Sequence, residues 1–260
     1  MLLSTFPRIC RATACAAVLL AGALGPRLAH AQAQTPVEQR YGGPRYPGGP
    51  DSLRATIGRA MRAANPAWTA PVVVQLQSDA NGAVQKVRFL QPPQGTPAAK
   101  LVRNAEMRKY ATNALSKLAH WQESPGVIRL SSWEYDIETL LLPFGSTEPA
   151  PLAYSEQEPV FTVPGMSNKT LSGVHQYIQR TVRYPAEDLR ARLEGTVYAY
   201  FEVSETGAIE HQQIVGSVSP TLDAEVLRVL RQVPAARTPP MQQGRPVRVY
   251  YVLPFTFRAV

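Results

Sequence analysis

Residues 184–217 read YPAEDLRARLEGTVYAYFEVSETGAIEHQQIVGS, and residues 222–234 continue LDAEVLRVLRQVP. Val197, Ala199, Phe201 and Val203 alternate with other residues, the period of a strand with one apolar face. Thr206-Gly207 supplies the turn, and Ile209 and Ile214 continue on a return strand. Ser219-Pro220 predicts a helix start, with serine as cap and proline at the first helical position. Leu222, Val226, Val229 and Val233 form that helix's buried stripe. Past Pro239-Pro240 and Gly244, apolar residues alternate from Val247 to Phe257 in a last strand whose polar side is Arg248, Tyr250 and Thr256. Strand, turn, strand, helix and strand make a small α+β module.

Upstream, Leu171, Val174, Ile178 and Val182 give a helical stripe that Tyr184-Pro185 stops, and residues 186–192 add a short turn of helix. The same order recurs earlier in a worn form. A helix is expected over residues 51–63, with Leu53, Ile57 and Met61 on one face. Val72, Val74 and Leu76 predict a strand with one buried face, Asp79-Ala80-Asn81-Gly82 a turn, and Val84, Val87 and Phe89 the return. A polar loop leads to a helix from Asn104 to His120 and a closing strand from Trp133 to Phe144. In that strand Tyr135 and Ile137 follow one phase and Leu140, Leu142 and Phe144 the other, so a bulge near Thr139 is expected. Val84 and Phe89 stand at the same offsets from Gly82 as Ile209 and Ile214 do from Gly207.

At roughly 100 to 200 residues per domain, 260 residues allow one large domain or two small ones. The repeat decides for two: residues 46–145 and 165–260, each a short antiparallel sheet packed with helices, joined by a Pro-rich linker over 146–164. Arg8 and Arg11 precede an apolar run from Ala12 to Leu24, and Ala29-His30-Ala31 has the small-x-small pattern of a cleavage site. Residues 1–31 therefore read as a secretory signal cut after Ala31, followed by a flexible leader over 32–45. A bilayer-crossing helix needs about 20 apolar residues, and Gly25-Pro26-Arg27 stops this run early, so no span is expected after cleavage.

Cleavage removes Arg8, Arg11 and Arg27 and lowers the formal charge from +8 to +5. Both cysteines, Cys10 and Cys15, leave as well, which excludes disulfides, thiolate metal sites and a cysteine nucleophile. His120, His175 and His211 lack ligand spacing, so no metal or cofactor is expected. Asp188, Asp223 and Glu225 fall on predicted helices as solvated or dipole-compensating groups. Neither a GxSxG elbow nor a phosphate-cradling glycine loop occurs, and no catalytic residue is assigned. Arginines cluster at 180, 183, 190 and 192 and again at 228, 231 and 237. At this modest charge they read as solvated helical faces rather than a nucleic-acid surface. Tyr198 and Tyr200, opposite Phe201, fit either a contact surface or cover for a helix.

Pro254 lies inside the last strand and Pro143 inside its counterpart. Proline cannot donate a ladder hydrogen bond, so each module is expected to leave its last strand at a sheet edge, either blunted or used to capture another strand.

Tyr184-Pro185, Glu194-Gly195-Thr196-Val197, Thr206-Gly207, Leu222-Asp223-Ala224-Glu225, Gly244-Arg245-Pro246-Val247 and Leu253-Pro254-Phe255 together resemble the C-terminal domain of TonB energy-transducer proteins. The resemblance covers residues 165–260; over 46–145 it rests on the internal repeat. It implies a periplasmic, non-enzymatic protein whose last strand pairs with an extended peptide of an outer-membrane receptor or other envelope protein. The residues so implicated are Arg245, Val247, Arg248, Val249, Tyr250, Tyr251, Val252 and Leu253.

Two departures qualify it. A complete transducer of that family carries a retained membrane helix and a long Pro-rich spacer, whereas the leader here would span only about 50 Å at roughly 3.4 Å per residue. The tryptophan often found after the helix is Ala235-Ala236 in the second copy, while the first copy keeps Trp121. Fold and peptide pairing are carried over, energy transduction is not. The alternative is a structural or self-associating envelope module with both sheet edges paired, and an envelope enzyme is the least favoured reading.

Overall fold

The computed structural model describes residues 41–79, 81–122, 137–166 and 170–259. The expected signal peptide, most of the leader and residues 133–136 of the closing strand lie outside them. The first half contains α1 (Gly49–Arg62), β1 (Pro71–Ser78), β2 (Val84–Phe89), α2 (Pro97–Arg103), α3 (Ala105–Leu115) and β3 (Ile137–Pro143). The second contains α4 (Leu171–Thr181), α5 (Ala186–Arg190), β4 (Gly195–Val203), β5 (Ile209–Gly216), α6 (Pro220–Leu230), the short ribbon β6 (Met241–Gln242) and β7 (Arg245–Pro246), and β8 (Val249–Phe257). The fold is α+β, as expected.

Each half builds an antiparallel three-stranded sheet with the same order, β2-β1-β3 and β5-β4-β8. The last strand lies at an edge in both. The turns match as well. The Asp79 N–H donates to the Ala83 carbonyl and the Gly82 N–H to that of Asp79; the Ser204 N–H donates to Ala208 and the Gly207 N–H to Ser204. Gly82 and Gly207 have φ of 78° and 84°, and their carbonyls accept from the N–H of Trp121 and of Ala236. Trp121 and Ala236 therefore occupy the same place after their helices, whatever their side chains.

Helices cover one face of each sheet. Leu53, Ile57 and Met61 from α1 and Met107, Ala111 and Leu115 from α3 pack on Val72, Val74, Leu76, Leu140 and Leu142. Val174 and Ile178 from α4, with Leu222, Val226 and Val229 from α6, pack on Val197, Ala199, Phe201 and Phe255. The Ser219 hydroxyl accepts from the Leu222 N–H at 3.2 Å with Pro220 in the first turn, the cap expected from sequence. The loop expected before α3 contains α2, which Thr96 caps by accepting from the Ala99 N–H at 3.1 Å.

The helix-free faces of the two sheets pack against each other. Val73, Leu90 and Leu141 from the first meet Tyr198, Tyr200, Val215 and Tyr250 from the second. Tyr198 and Tyr200 are thus a contact surface between halves. The result is four layers, helices, sheet, sheet and helices.

This arrangement corrects two expectations. β1 is buried on both faces, not one. No register shift interrupts β3 from Ile137↔Gln77 to Pro143↔Pro71, so there is no bulge at Thr139. Leu140 and Leu142 face the helices while Leu141 faces the other sheet. Two apolar phases serve two buried faces.

Residues 146–164 contribute to both halves. Tyr154 stacks on Tyr41 at 4.6 Å and accepts from the Tyr46 N–H at 2.9 Å in the first core, whereas Phe161 and Val163 enter the second. Val160 exchanges backbone bonds with Arg237 and Thr238 just as Arg45 does with Gln122. The segment is a strap that starts the second half before residue 165.

Candidate functional site: the outer edge of the last strand

Alternation within β8 sets which backbone groups face outward. The Tyr250 N–H donates to the Leu152 carbonyl at 3.1 Å, and the Leu152 N–H to the Arg248 carbonyl at 2.9 Å, both on the side away from β4. Every second residue along β8 therefore presents its backbone outward: Arg248, Tyr250, Val252, Pro254 and Thr256. Pro254 needs no N–H partner there, which explains a proline inside this strand. Its carbonyl accepts from His175 Nε2 of α4 at 2.7 Å. Among the described residues the outer edge is thus occupied at Leu152 and at His175, leaving the N–H and C=O of Val252 between them and those of Thr256 beyond.

The eight residues implicated by resemblance separate into groups. Arg245 belongs to β7 and pairs with Gln242. Val247 connects the ribbon to β8 and donates its N–H to Pro240 at 3.0 Å. Val249 and Leu253 turn their side chains into the buried interior. Tyr251 packs toward Phe201 at 5.6 Å, and burial pushes its hydroxyl well above the ordinary tyrosine range. Tyr250 points the other way: its hydroxyl accepts from the Leu141 N–H at 3.1 Å and donates to the Thr139 carbonyl at 3.2 Å. Those groups are the outward ones of β3, so one tyrosine of the second half closes the edge of the first. Only Val252 keeps the open backbone position the resemblance implies.

Arg248 joins an ionic cluster at the start of β8. Its guanidinium lies 3.1 Å from Glu202, 2.7 Å from Glu210 and 3.7 Å from Glu205. Glu202 also accepts from the Tyr200 hydroxyl at 2.7 Å and contacts His211 Nδ1 at 3.0 Å. Burial alone would raise the Glu202 carboxyl, but hydrogen bonds from Tyr200, His211 and Arg248 outweigh it and hold it below the usual range. Burial and the Glu202 carboxylate push the Tyr200 hydroxyl far up. His211 adopts φ 52° where two residues of β5 oppose Phe201 of β4, a bulge that bends this outer strand. The cluster lines a groove of about 960 Å³ with Pro143, Phe144 and residues 148–152. It locks β8, β4 and β5 together, with the Glu202, Glu205 and Glu210 carboxylates sharing the one Arg248 guanidinium.

Sequence reading missed Leu152 and His175. Leu152 is a single bridge inside an aperiodic strap, which leaves no pattern to find. His175 is half-buried on α4 with no partner near it in sequence, and only the folded sheet brings Pro254 and Phe255 to it. Among the described residues no cluster of His, Cys, Asp and Glu could hold a metal ion, and no helix is long and apolar enough to cross a membrane.

Comparison with known proteins adds a family likeness over part of the chain. Residues 180–259 match the family described as Gram-negative bacterial TonB protein C-terminal. This matching segment holds β4, β5, α6 and β8. Two solution structures of the Helicobacter pylori TonB C-terminal domain, residues 194–285 and 179–285, are 18% and 22% identical and each cover 36% of this chain. The match spans 97% and 85% of those chains, with TM-scores of 0.28 and 0.29. No curated protein matches the chain.

Proposed function

We propose that this is a non-enzymatic protein of the bacterial periplasm that captures an extended peptide of an outer-membrane receptor or other envelope protein by strand pairing on β8, in support of envelope transport. The observation that carries this reading is the family match over residues 180–259 together with the edge position of β8. An added strand would gain main-chain hydrogen bonds at Val252 and Thr256. A peptide longer than this window must displace Leu152 or the His175 side chain, so capture and release of the strap are coupled. Titration with a peptide from a receptor N-terminus, followed by backbone amide NMR, tests the reading. Shifts at Val252 and Thr256, and at Tyr250 as Leu152 leaves, are expected. A saturable complex with no change over residues 245–257 would refute it.

One observation favours a second reading, a self-contained module. Tyr250 closes β3 and Leu152 covers the start of β8 within one chain. That reading requires the Val252 amide to exchange as slowly as its neighbours without any peptide and to stay unchanged when peptides are added.

A further inference from the structure

The outer strand of the first sheet carries a second edge with different chemistry. The Leu90 N–H donates to the Val73 carbonyl at 3.0 Å, so Leu90, Arg88 and Lys86 direct their backbone toward β1. Val87 and Phe89 therefore present theirs outward. No backbone partner meets Val87 on that side among the described residues, and the Phe89 carbonyl meets only the Gln91 side chain at 3.4 Å.

Beside this edge runs an open groove of about 860 Å³ between β2 and α3. Its floor includes the half-buried Val87 and Phe89, and its far wall is Arg108 and Lys109 of α3. Alternation places Lys86 and Arg88 on the opposite face of β2. All four cations are exposed, and none forms an ion pair among the described residues. Glu106 is the sole acidic residue of α2 and α3.

A strand added here would place alternate side chains on the two faces of the sheet, and it would meet unpaired cations on both. We infer that the β2 edge is a second docking site, for an extended acidic peptide segment. Open main-chain groups select a strand, since a polyanion without a β-backbone leaves them unpaired. The cations select its charge, because a second copy of β2 would bring like charges opposite one another. The corresponding strand of the second half does not offer this: β5 is bulged in its middle at His211, whereas the irregularity of β2 lies at Gln85, before Val87 and Phe89, and the nearby Arg248 is held by Glu202 and Glu210.

The test uses the full protein and an eight-residue peptide alternating Glu and Val, with alternating Lys and Val, octaglutamate and anionic phospholipid vesicles as comparisons. The Glu-Val peptide is expected to bind, to shift the amides of Val87 and Phe89 and to slow their exchange. R108E/K109E is expected to weaken it about tenfold, the loss of two exposed charge pairs. Val87→Pro removes an outward N–H and no ladder bond, so it should abolish the protection while leaving the fold intact even if the charge reversal does not fold. Failure of the Glu-Val peptide to bind overturns the inference. So does equal binding of octaglutamate or vesicles without protection at Val87 and Phe89, or full affinity in Val87→Pro. Val252 and Thr256 report β8 in the same spectra, so the two sites succeed or fail separately.

Discussion

The two halves share a sheet order and differ in how they treat their edges. In the first, the closing strand β3 is sealed by Tyr250 while the outer strand β2 stays open and lined by cations. In the second, the outer strand β5 is bulged and the closing strand β8 keeps a narrow opening between Leu152 and His175. One architecture thus yields two different edge environments, because single residues such as Tyr250, Leu152 and His175 decide which edge groups are covered.

The sharpest way to break the comparison is to remove the residue that joins the halves. Tyr250→Ala empties a buried site stacked on Tyr200 at 5.8 Å and should cost about 3 kcal/mol or more. Tyr250→Phe keeps the packing but leaves the buried Leu141 N–H without its acceptor, for about 1 to 2 kcal/mol. Chemical denaturation measures both, and faster exchange at Leu141 in the phenylalanine variant identifies the sealed edge. A phenylalanine variant with unchanged Leu141 exchange would mean that β3 does not rely on the tyrosine.

The paired turns come next. A Cβ at Gly82 would lie 1.9 Å from the Trp121 carbonyl oxygen, and one at Gly207 would lie 2.4 Å from that of Ala236. Both positions also need positive φ, so each alanine variant should lose about 2 kcal/mol or more. Gly82→Ala is expected to be the worse of the two. The opposite ranking by thermal unfolding would show that the first turn yields more easily than its twin.

The pH response should carry two opposite signs, from Glu158 and from Glu202. Burial raises Glu158 from 4.5 to about 7. Between those values the folded state binds more protons than the unfolded chain, so stability falls as pH rises from about 4.5 to 7. Glu202 has the opposite sign. Its folded pKa is depressed, so its contribution is complete above the unfolded value near 4.5 and is lost as pH falls through the folded one. Glu158→Gln should flatten the profile of melting temperature between pH 5 and 7.5 and leave the acid limb in place. An unchanged slope in that variant would assign the neutral-pH dependence elsewhere.

Sequence reading succeeded where a periodic pattern met a local signal. The β4 and β8 alternation, the turn at Gly207 and the Ser219-Pro220 cap all lie within a few residues of the groups they satisfy. It erred where burial came from the other half. The strand of Val72, Val74 and Leu76 reads as having one buried face, and the two phases of the closing strand read as a bulge, because the sheet that covers Val73 and Leu141 is more than 50 residues away in sequence. The strap over 146–164 read as a linker since its anchors, Leu152, Tyr154 and Phe161, follow no helix or strand period. At the site, the proline marked the edge correctly, but the groups that close the edge were chosen by folding alone.

The smallest expected effect is also the most informative about β8. His175→Ala removes one hydrogen bond to the Pro254 carbonyl and a tilted ring contact with Phe255 at 5.3 Å. The acceptor lies at a half-buried strand edge that water can reach, so the stability cost should stay near about 1 kcal/mol. Opening that end lengthens the free edge from Val252 to Thr256, so a receptor peptide that pairs with β8 should bind more tightly. Its amide shifts should then extend to both residues. Weaker binding in the variant would instead make His175 a contact for the peptide, and equal binding would place the peptide on the Leu152 side of Val252. Gln91 Nε2 at the Phe89 carbonyl is the comparable group on β2, a long contact at 3.4 Å from a flexible amide. Beyond it the Gln91 carbonyl accepts from the Ser217 N–H at 2.8 Å, so on β2 the open groups are those of Val87 and Phe89, side by side, whereas on β8 His175 separates Val252 from Thr256.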